Sequence, residues 1–197
     1  MLRGGWPSGR RVLSAVQRIV GTLRHKPVIV RLLAAADLAA IAFAERWADP
    51  TVEDLAAQDV GQLTIYVAWL AGAAVGIGFV HWAAPRHQAL MDRFARTPEI
   101  YRLWVEPSMR SAGVGSMLMM RMESDIVARG FDSAGVGVHA ENVRAQELYR
   151  RRGYKNVQAP FTDRFDTPDA SGHTQHMEEP AMFMVKALAA AGVGAPH

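Results

Sequence analysis

Between Leu63 and Ala84 the chain reads "LTIYVAWLAGAAVGIGFVHWAA", without a single Asp, Glu, Lys or Arg. So apolar a stretch either crosses a bilayer as a helix or is buried inside a folded core. Its internal pattern favours the core. Two β-rich runs, Leu63–Leu70 and Val75–Trp82, flank "AGAA", and Gly76 and Gly78 alternate with Ile77 and Phe79 as in a strand with close neighbours. The segment is read as a buried β-hairpin, with a transmembrane helix as the competing reading that cell fractionation would test.

A chain of 197 residues, half of them hydrophobic, is long enough to surround such a hairpin with one domain. It has no cysteine, which excludes disulfides, thiolate metal sites and cysteine nucleophiles, and makes the cytoplasm the default compartment. The net charge of +3 is uneven: residues 1–26 carry +6 with no acid, so residues 27–197 carry −3. The basic balance belongs to the N-terminal arm and predicts no nucleic-acid surface on the domain. Within the arm, residues 8–24 place Val12, Leu13, Val16, Ile19, Val20 and Leu23 on one helical face, a basic amphipathic helix.

The remaining pattern predicts a strand over Val28–Leu33, an Ala-rich helix from Asp37 to about Trp47, and a short helix capped by Thr51. After the hairpin come a polar, partly helical connection, a strand over Glu99–Val105, and a helix over Gly113–Arg129 stopped at Gly130. Next are a strand in "DSAGVGVHA", a helix from Asn142 to about Arg152 ended by Gly153, and a strand near Tyr154–Val157. A long polar segment, Pro160–Pro180, then precedes a last strand, "AMFMVKAL". Strands both precede and alternate with helices, which predicts an α/β or α+β domain over residues 27–188 with a mixed, mostly antiparallel sheet of about seven strands. Residues 189–197 read as a disordered tail of small residues.

The loop "VEPSMRSAGVGSML" carries the chemistry. A strand ending at Val105, a turn begun by Pro107 and a helix starting near Gly113 place free backbone N–H groups at the positive end of a helix, where phosphate binds. Glycines 113 and 115 let the backbone approach an anion, and Arg110 adds a charge that grips phosphate oxygens. The loop lacks the Gly-Lys-Ser/Thr end of a nucleotide-hydrolysing P-loop. It also lacks the third glycine of the dinucleotide fingerprint. Alone, it could equally be a glycine-rich turn opening an ordinary helix.

About thirty residues on lies "ENVRAQELYRRRGYKNV". The order strand, Arg110-x-x-Gly113-x-Gly115, helix, strand, then Asn142-x-x-Ala145-x-x-Leu148-Tyr149-x-x-x-Gly153-Tyr154 resembles the GNAT family of acetyl-CoA-dependent N-acetyltransferases. The resemblance implies a sheet splayed between its fourth and fifth strands. It implies acetyl-CoA as co-substrate, with the pyrophosphate cradled by Arg110, Ser111, Ala112, Gly113, Val114 and Gly115. The pantetheine arm would pair with Trp104 and Val105, and Asn142, first of all a helix N-cap, would also touch that arm. No metal is implied. The partners are acetyl-CoA and a primary amine, of a small molecule or of a protein or peptide.

For Tyr149 the residues alone suggest a ring packed in the core; the resemblance implies that its hydroxyl protonates the departing CoA thiolate. Glu99 and Glu106 bracket the fourth strand, where many family members place a general base or a water chain. Glu99 is the candidate, since Glu106 beside Pro107 reads as a solvated turn residue. His81 is a weaker alternative. His173 and His176 lack metal-site spacing on a helix, and the methionines 117, 119, 120 and 122 read as one buried helix side. Asp163, Asp166, Asp169, Glu178 and Glu179 against Arg164 make the 160–180 segment an acidic approach for a cationic amine, or simply a solvated loop. A competing reading of the whole chain is a non-catalytic acyl-CoA-binding regulatory module docked to a membrane surface or partner by residues 8–24. A homodimer is left open.

Overall fold

The computed structural model describes residues 27–41, 43, 49–168 and 174–188. The basic arm, the C-terminal tail, the helix end assigned to Trp47, and Asp169 and His173 lie outside them. Strands β1 (Ile29–Leu32), β2 (Leu63–Leu70), β3 (Ala73–His81), β4 (Glu99–Val105), β5 (Ser133–His139), β6 (Lys155–Pro168) and β7 (Thr174–Ala187) form one sheet in the order β1-β2-β3-β4-β5-β7-β6. Every neighbouring pair is antiparallel except β4 and β5, which are parallel. Helices α1 (Val52–Asp59), α2 (Gln88–Met91), α3 (Val114–Ala128) and α4 (Val143–Arg151) flank it, with 3₁₀ turns at Ala35–Ala40 and Pro107–Met109.

The uncharged stretch is the β2–β3 hairpin, and β2 is buried at every position. A strand covered on both faces can keep no charged side chain, which explains the composition that first resembled a membrane span. Ala71 and Gly72 close the hairpin with φ of 52° and 86°, the positive pair a type I′ turn requires. No helix among the described residues is long and apolar enough to cross a membrane. A Cβ on Gly76 would stand 3.0 Å from the Trp104 carbonyl oxygen and 3.2 Å from Leu118 Cδ1, and one on Gly78 3.0 Å from Met122 Cε. These glycines let α3 lie close against the sheet.

Each sheet face has its own core. On the α3 side Leu118, Met119, Met122 and Ile126 pack with Ile100, Val136, Val138 and Tyr149, while Leu33, Ile65, Val67, Phe79, Tyr101 and Trp104 fill the other side. The methionine side is less uniform than its sequence suggests: Met119 and Met122 are fully buried, but Met120 is exposed. Thr51 caps α1 as expected, its hydroxyl accepting from the Asp54 amide at 3.2 Å while Asp54 accepts from the Thr51 amide at 2.9 Å.

Two elements depart from the sequence reading. The Ala-rich helix from Asp37 is a 3₁₀ turn over Ala35–Ala40, where the Asp37 carboxylate accepts from the Ala34 amide instead of opening an α-helix. Within Pro160–Pro180, the expected polar loop is instead most of a long hairpin: β6 pairs with β7 from Phe161↔Ala181 to Pro168↔Thr174. Its polar residues are compatible with a strand because β6 is the sheet edge. Pro160 is accommodated where the ladder shifts register, between Asn156 and Pro160.

Candidate active site

The opening that organises the site comes from β4 and β5. They pair only through Glu99↔Gly135 and Ile100↔Val136, although β4 runs on to Val105 and β5 to His139. Arg102 is held at φ 47°, beside a register shift between β3 and β4 opposite Ile77 and Phe79, a bulge that bends β4. The bend is pinned by the Arg102 guanidinium, which donates to Asp54 and, at 2.8 Å, to the Asp49 carbonyl, and lies 4.4 Å over the Phe79 ring. The strands therefore splay.

A cavity of about 420 Å³ opens at the splay, lined by Trp104 and Val105, by Arg110, Ser111, Gly113, Gly115 and Ser116 of the loop and helix start, and by Asn142, Arg144, Leu148, Tyr149 and Arg151. Gly113 is the N-cap of α3 at φ 87°, a conformation suited to glycine. The amides of Ser111, Gly113, Val114, Gly115 and Ser116 meet no acceptor among the described residues, whereas Met117 already donates to the Gly113 carbonyl at 3.0 Å. These unpaired donors at a helix start are an anion cradle. Ala112 and Val114 do not line the cavity, and Val114 is buried beneath it. Arg110 lines it with Nε bonded to the Val105 carbonyl at 3.0 Å.

Sequence reading missed Arg144 and Arg151. Arg144 donates to Ser111 Oγ at 3.0 Å and so joins α4 to the loop. Both lie within the "ENVRAQELYRRRGY" stretch already quoted, but nothing in their spacing shows that α4 faces the loop. Asn142 caps α4, its Oδ1 accepting from the Ala145 amide at 3.1 Å.

Tyr149 reconciles its two readings: its ring packs beside Tyr154, centroids 5.9 Å apart, and the residue also lines the cavity. Burial pushes its phenol up to about 12, so it stays protonated near neutral pH. Glu99 does not line the cavity. It sits on the opposite sheet face from α3, alternating with Ile100, and is only 2% exposed. Its Oε2 accepts from the Arg86 amide at 2.7 Å, and the Arg86 Nε stands 3.4 Å away. Its Oε1 points toward Gly137, 3.5 Å from where a Cβ would stand there. His81, the last residue of β3 and paired across the ladder with Glu99, has Nδ1 2.8 Å from the Ala84 carbonyl, a contact that closes the turn after the strand.

On the same face Asp163 receives His87 Nε2 at 3.0 Å and His139 Nε2 at 2.9 Å, while His139 Nδ1 meets Glu179 at 2.6 Å. Burial would raise the Asp163 carboxyl, but the two imidazole hydrogen bonds outweigh it and hold the group below its ordinary range. Among the described residues no group of three or more His, Cys, Asp or Glu is arranged to hold a metal ion.

The stretch that builds the splayed β4–β5 pair and the helix after it lies within a family match: residues 30–154 fit "Acetyltransferase (GNAT) family". The chain belongs to the GNAT family. Over 63 residues, 32% of this chain, it is 40% identical to a mycothiol acetyltransferase of Beutenbergia cavernae, of which the match spans 21%. Solved structures of GNAT-like fold include an N-acetyltransferase from Staphylococcus aureus Mu50, at TM-score 0.61 and 18% identity, covering 83% of this chain and 99% of that one. The ribosomal-protein-S18-alanine N-acetyltransferase from Escherichia coli follows at TM-score 0.58 and 16% identity, covering 87% and 100%. A GNAT family acetyltransferase from Elizabethkingia anophelis with acetyl-CoA bound has TM-score 0.55 and 14% identity, covering 82% and 98%. At such identities the structures share a fold with this GNAT chain, and its seven-stranded sheet is the expected one.

Proposed function

We propose that the protein transfers an acetyl group from acetyl-CoA to a primary amine. The observation that carries this reading is the set of amides of Ser111, Gly113, Gly115 and Ser116, which meet no acceptor among the described residues and line the cavity between β4, α3 and α4. Acetyl-CoA supplies the acetyl group as a thioester. The amides of the loop and the Arg110 guanidinium hold its pyrophosphate, with Arg144 as a further cation, and the stretch of β4 beyond its last pair with β5, at Trp104 and Val105, binds its pantetheine arm. Glu99 takes a proton from the acceptor ammonium, directly or through water, which frees the nitrogen lone pair for attack. Tyr149, neutral and facing the cavity, donates its proton to the departing thiolate.

Calorimetry with acetyl-CoA, followed by thiol detection with a panel of amines, tests the reading. Arg110→Ala should weaken acetyl-CoA binding by about one to two decades, as loss of a charge-assisted phosphate contact requires, while leaving the fold intact. An unchanged dissociation constant would remove Arg110 from the cradle. Binding without CoA release on any amine would favour the regulatory-module reading.

A further inference from the structure

Arg86, in the connection between β3 and α2, is held but only partly used. Its guanidinium stacks over the Tyr101 ring, carbon to centroid 3.8 Å, and its Nε stands 3.4 Å from Glu99 Oε2. Neither Nη donates a hydrogen bond to any described residue, and the side chain is 39% exposed. A guanidinium held against an aromatic ring, with both Nη atoms making no hydrogen bond among the described residues, is a preorganised receptor for a planar anion, above all a carboxylate.

The surroundings say which molecule would carry that carboxylate. Glu99, whose Oε2 is the carboxylate oxygen nearest the Arg86 Nε, is the proposed base of the reaction. Because the Arg86 guanidinium stands beside that carboxylate, an acceptor whose ammonium gives its proton to Glu99, directly or through water, would bring a carboxylate on the same or the next carbon to the Arg86 Nη atoms. Two described carboxylates of this face have partners: Asp163 is taken by His87 and His139, and Glu179 by His139. A second cationic group on the acceptor would therefore find these acids engaged, whereas a carboxylate would find open donors. We infer that Arg86 is a specificity-determining residue that binds the carboxylate of the acceptor, and that the acceptor is a free amino acid or a similar small zwitterion. The inference rests on the proposed acetyl transfer for its reaction and on Arg86 alone for its substrate class.

The test compares matched acceptors, common amino acids against their carboxamides, by CoA release from acetyl-CoA. The wild type should prefer the free acid by about tenfold to a hundredfold in kcat/KM, because the amide leaves the guanidinium unpaired. That ratio should fall close to one in Arg86→Ala and to an intermediate value in Arg86→Lys, which keeps charge without the fork. A wild-type ratio of one or less, a preference that survives Arg86→Ala, or acetylation of peptide N-termini with no action on free amino acids would overturn the assignment. If no amine is acetylated, calorimetry of the CoA-loaded protein with the same pairs decides it. Acid-selective binding lost in Arg86→Ala supports Arg86 while acetyl transfer fails, and binding without acid selectivity overturns it.

Discussion

Tyr149 carries two demands on one side chain. Its ring is core, packed beside Tyr154, and the residue also lines the cavity, where the proposed mechanism needs its hydroxyl. Tyr149→Phe keeps the packing and removes one proton donor, so stability and acetyl-CoA affinity should change little while turnover falls about a hundredfold, the lower end for general-acid help to a fairly good leaving group. Because burial raises the phenol to about 12, a loss of rate with rising pH governed by Tyr149 as the proposed acid should lie near pH 12 and not at the ordinary tyrosine value near 10. The comparison is of wild-type and Phe pH–rate profiles with an identified amine under conditions where chemistry limits the rate. A Phe variant at the wild-type rate would leave the thiolate to water.

At the scale of elements, β5 is built from small residues on one face so that β7 and β6 can bring their side chains across it. A Cβ on Gly135 would stand 2.2 Å from Phe183 Cζ and 2.8 Å from its Cε1, a clash with a ring that is itself fully buried. Gly135→Ala should therefore destabilise the fold by about 1–3 kcal/mol, the usual consequence of overpacking, read as a lower denaturation midpoint at an unchanged m value. The same face explains why the proposed acceptor side was less legible than the loop before α3. The phosphate cradle is contiguous in sequence, a strand, turn and helix start that announce themselves through glycine, arginine and capping chemistry. Glu99, Arg86 and Gly137 meet only because β4 pairs in parallel with β5 and the chain before α2 folds back over them. Glu99 was readable as a carboxylate on the fourth strand; its partner Arg86 lay inside a polar connection with no motif to mark it.

Across the whole molecule, one buried acid ties three elements. Glu123 of α3 receives Arg152 at the end of α4, 2.8 Å from Nη2, and Lys186 of β7, 2.8 Å from Nζ. Burial alone would raise its carboxyl, but the hydrogen bonds and charges of Arg152 and Lys186 win and hold it below its ordinary value of 4.5. A carboxylate lowered on folding contributes stability that is present above its unfolded pKa and lost as pH falls through the folded one. Glu123→Gln, which leaves two cations with a neutral partner, should lose about 2–4 kcal/mol at pH 7. Its deficit against the wild type should shrink below pH 4.5, where the native acid is itself being protonated. Urea titrations at a series of pH values check both. A deficit independent of pH would assign the loss to packing. Asp163, also held low, keeps an acid limb in both proteins.

The sequence by itself determined what depends on neighbours along the chain. The uncharged stretch had to be buried, its glycines marked close packing, Thr51 and Asn142 capped their helices, and the paired motifs from Arg110 to Tyr154 placed the chain in its family. What only the tertiary structure decided are features set by neighbours in space. The segment Pro160–Pro180 looked like a solvated loop because its residues are polar and bounded by prolines. It is largely strand because β7 finds β5 on one side and β6 takes the open edge of the sheet. Backbone hydrogen bonding across a sheet is a long-range choice that local propensity does not encode. For the same reason the partial splay of β4 from β5, and the arginine set beside Glu99, exist only once the strands have chosen their partners.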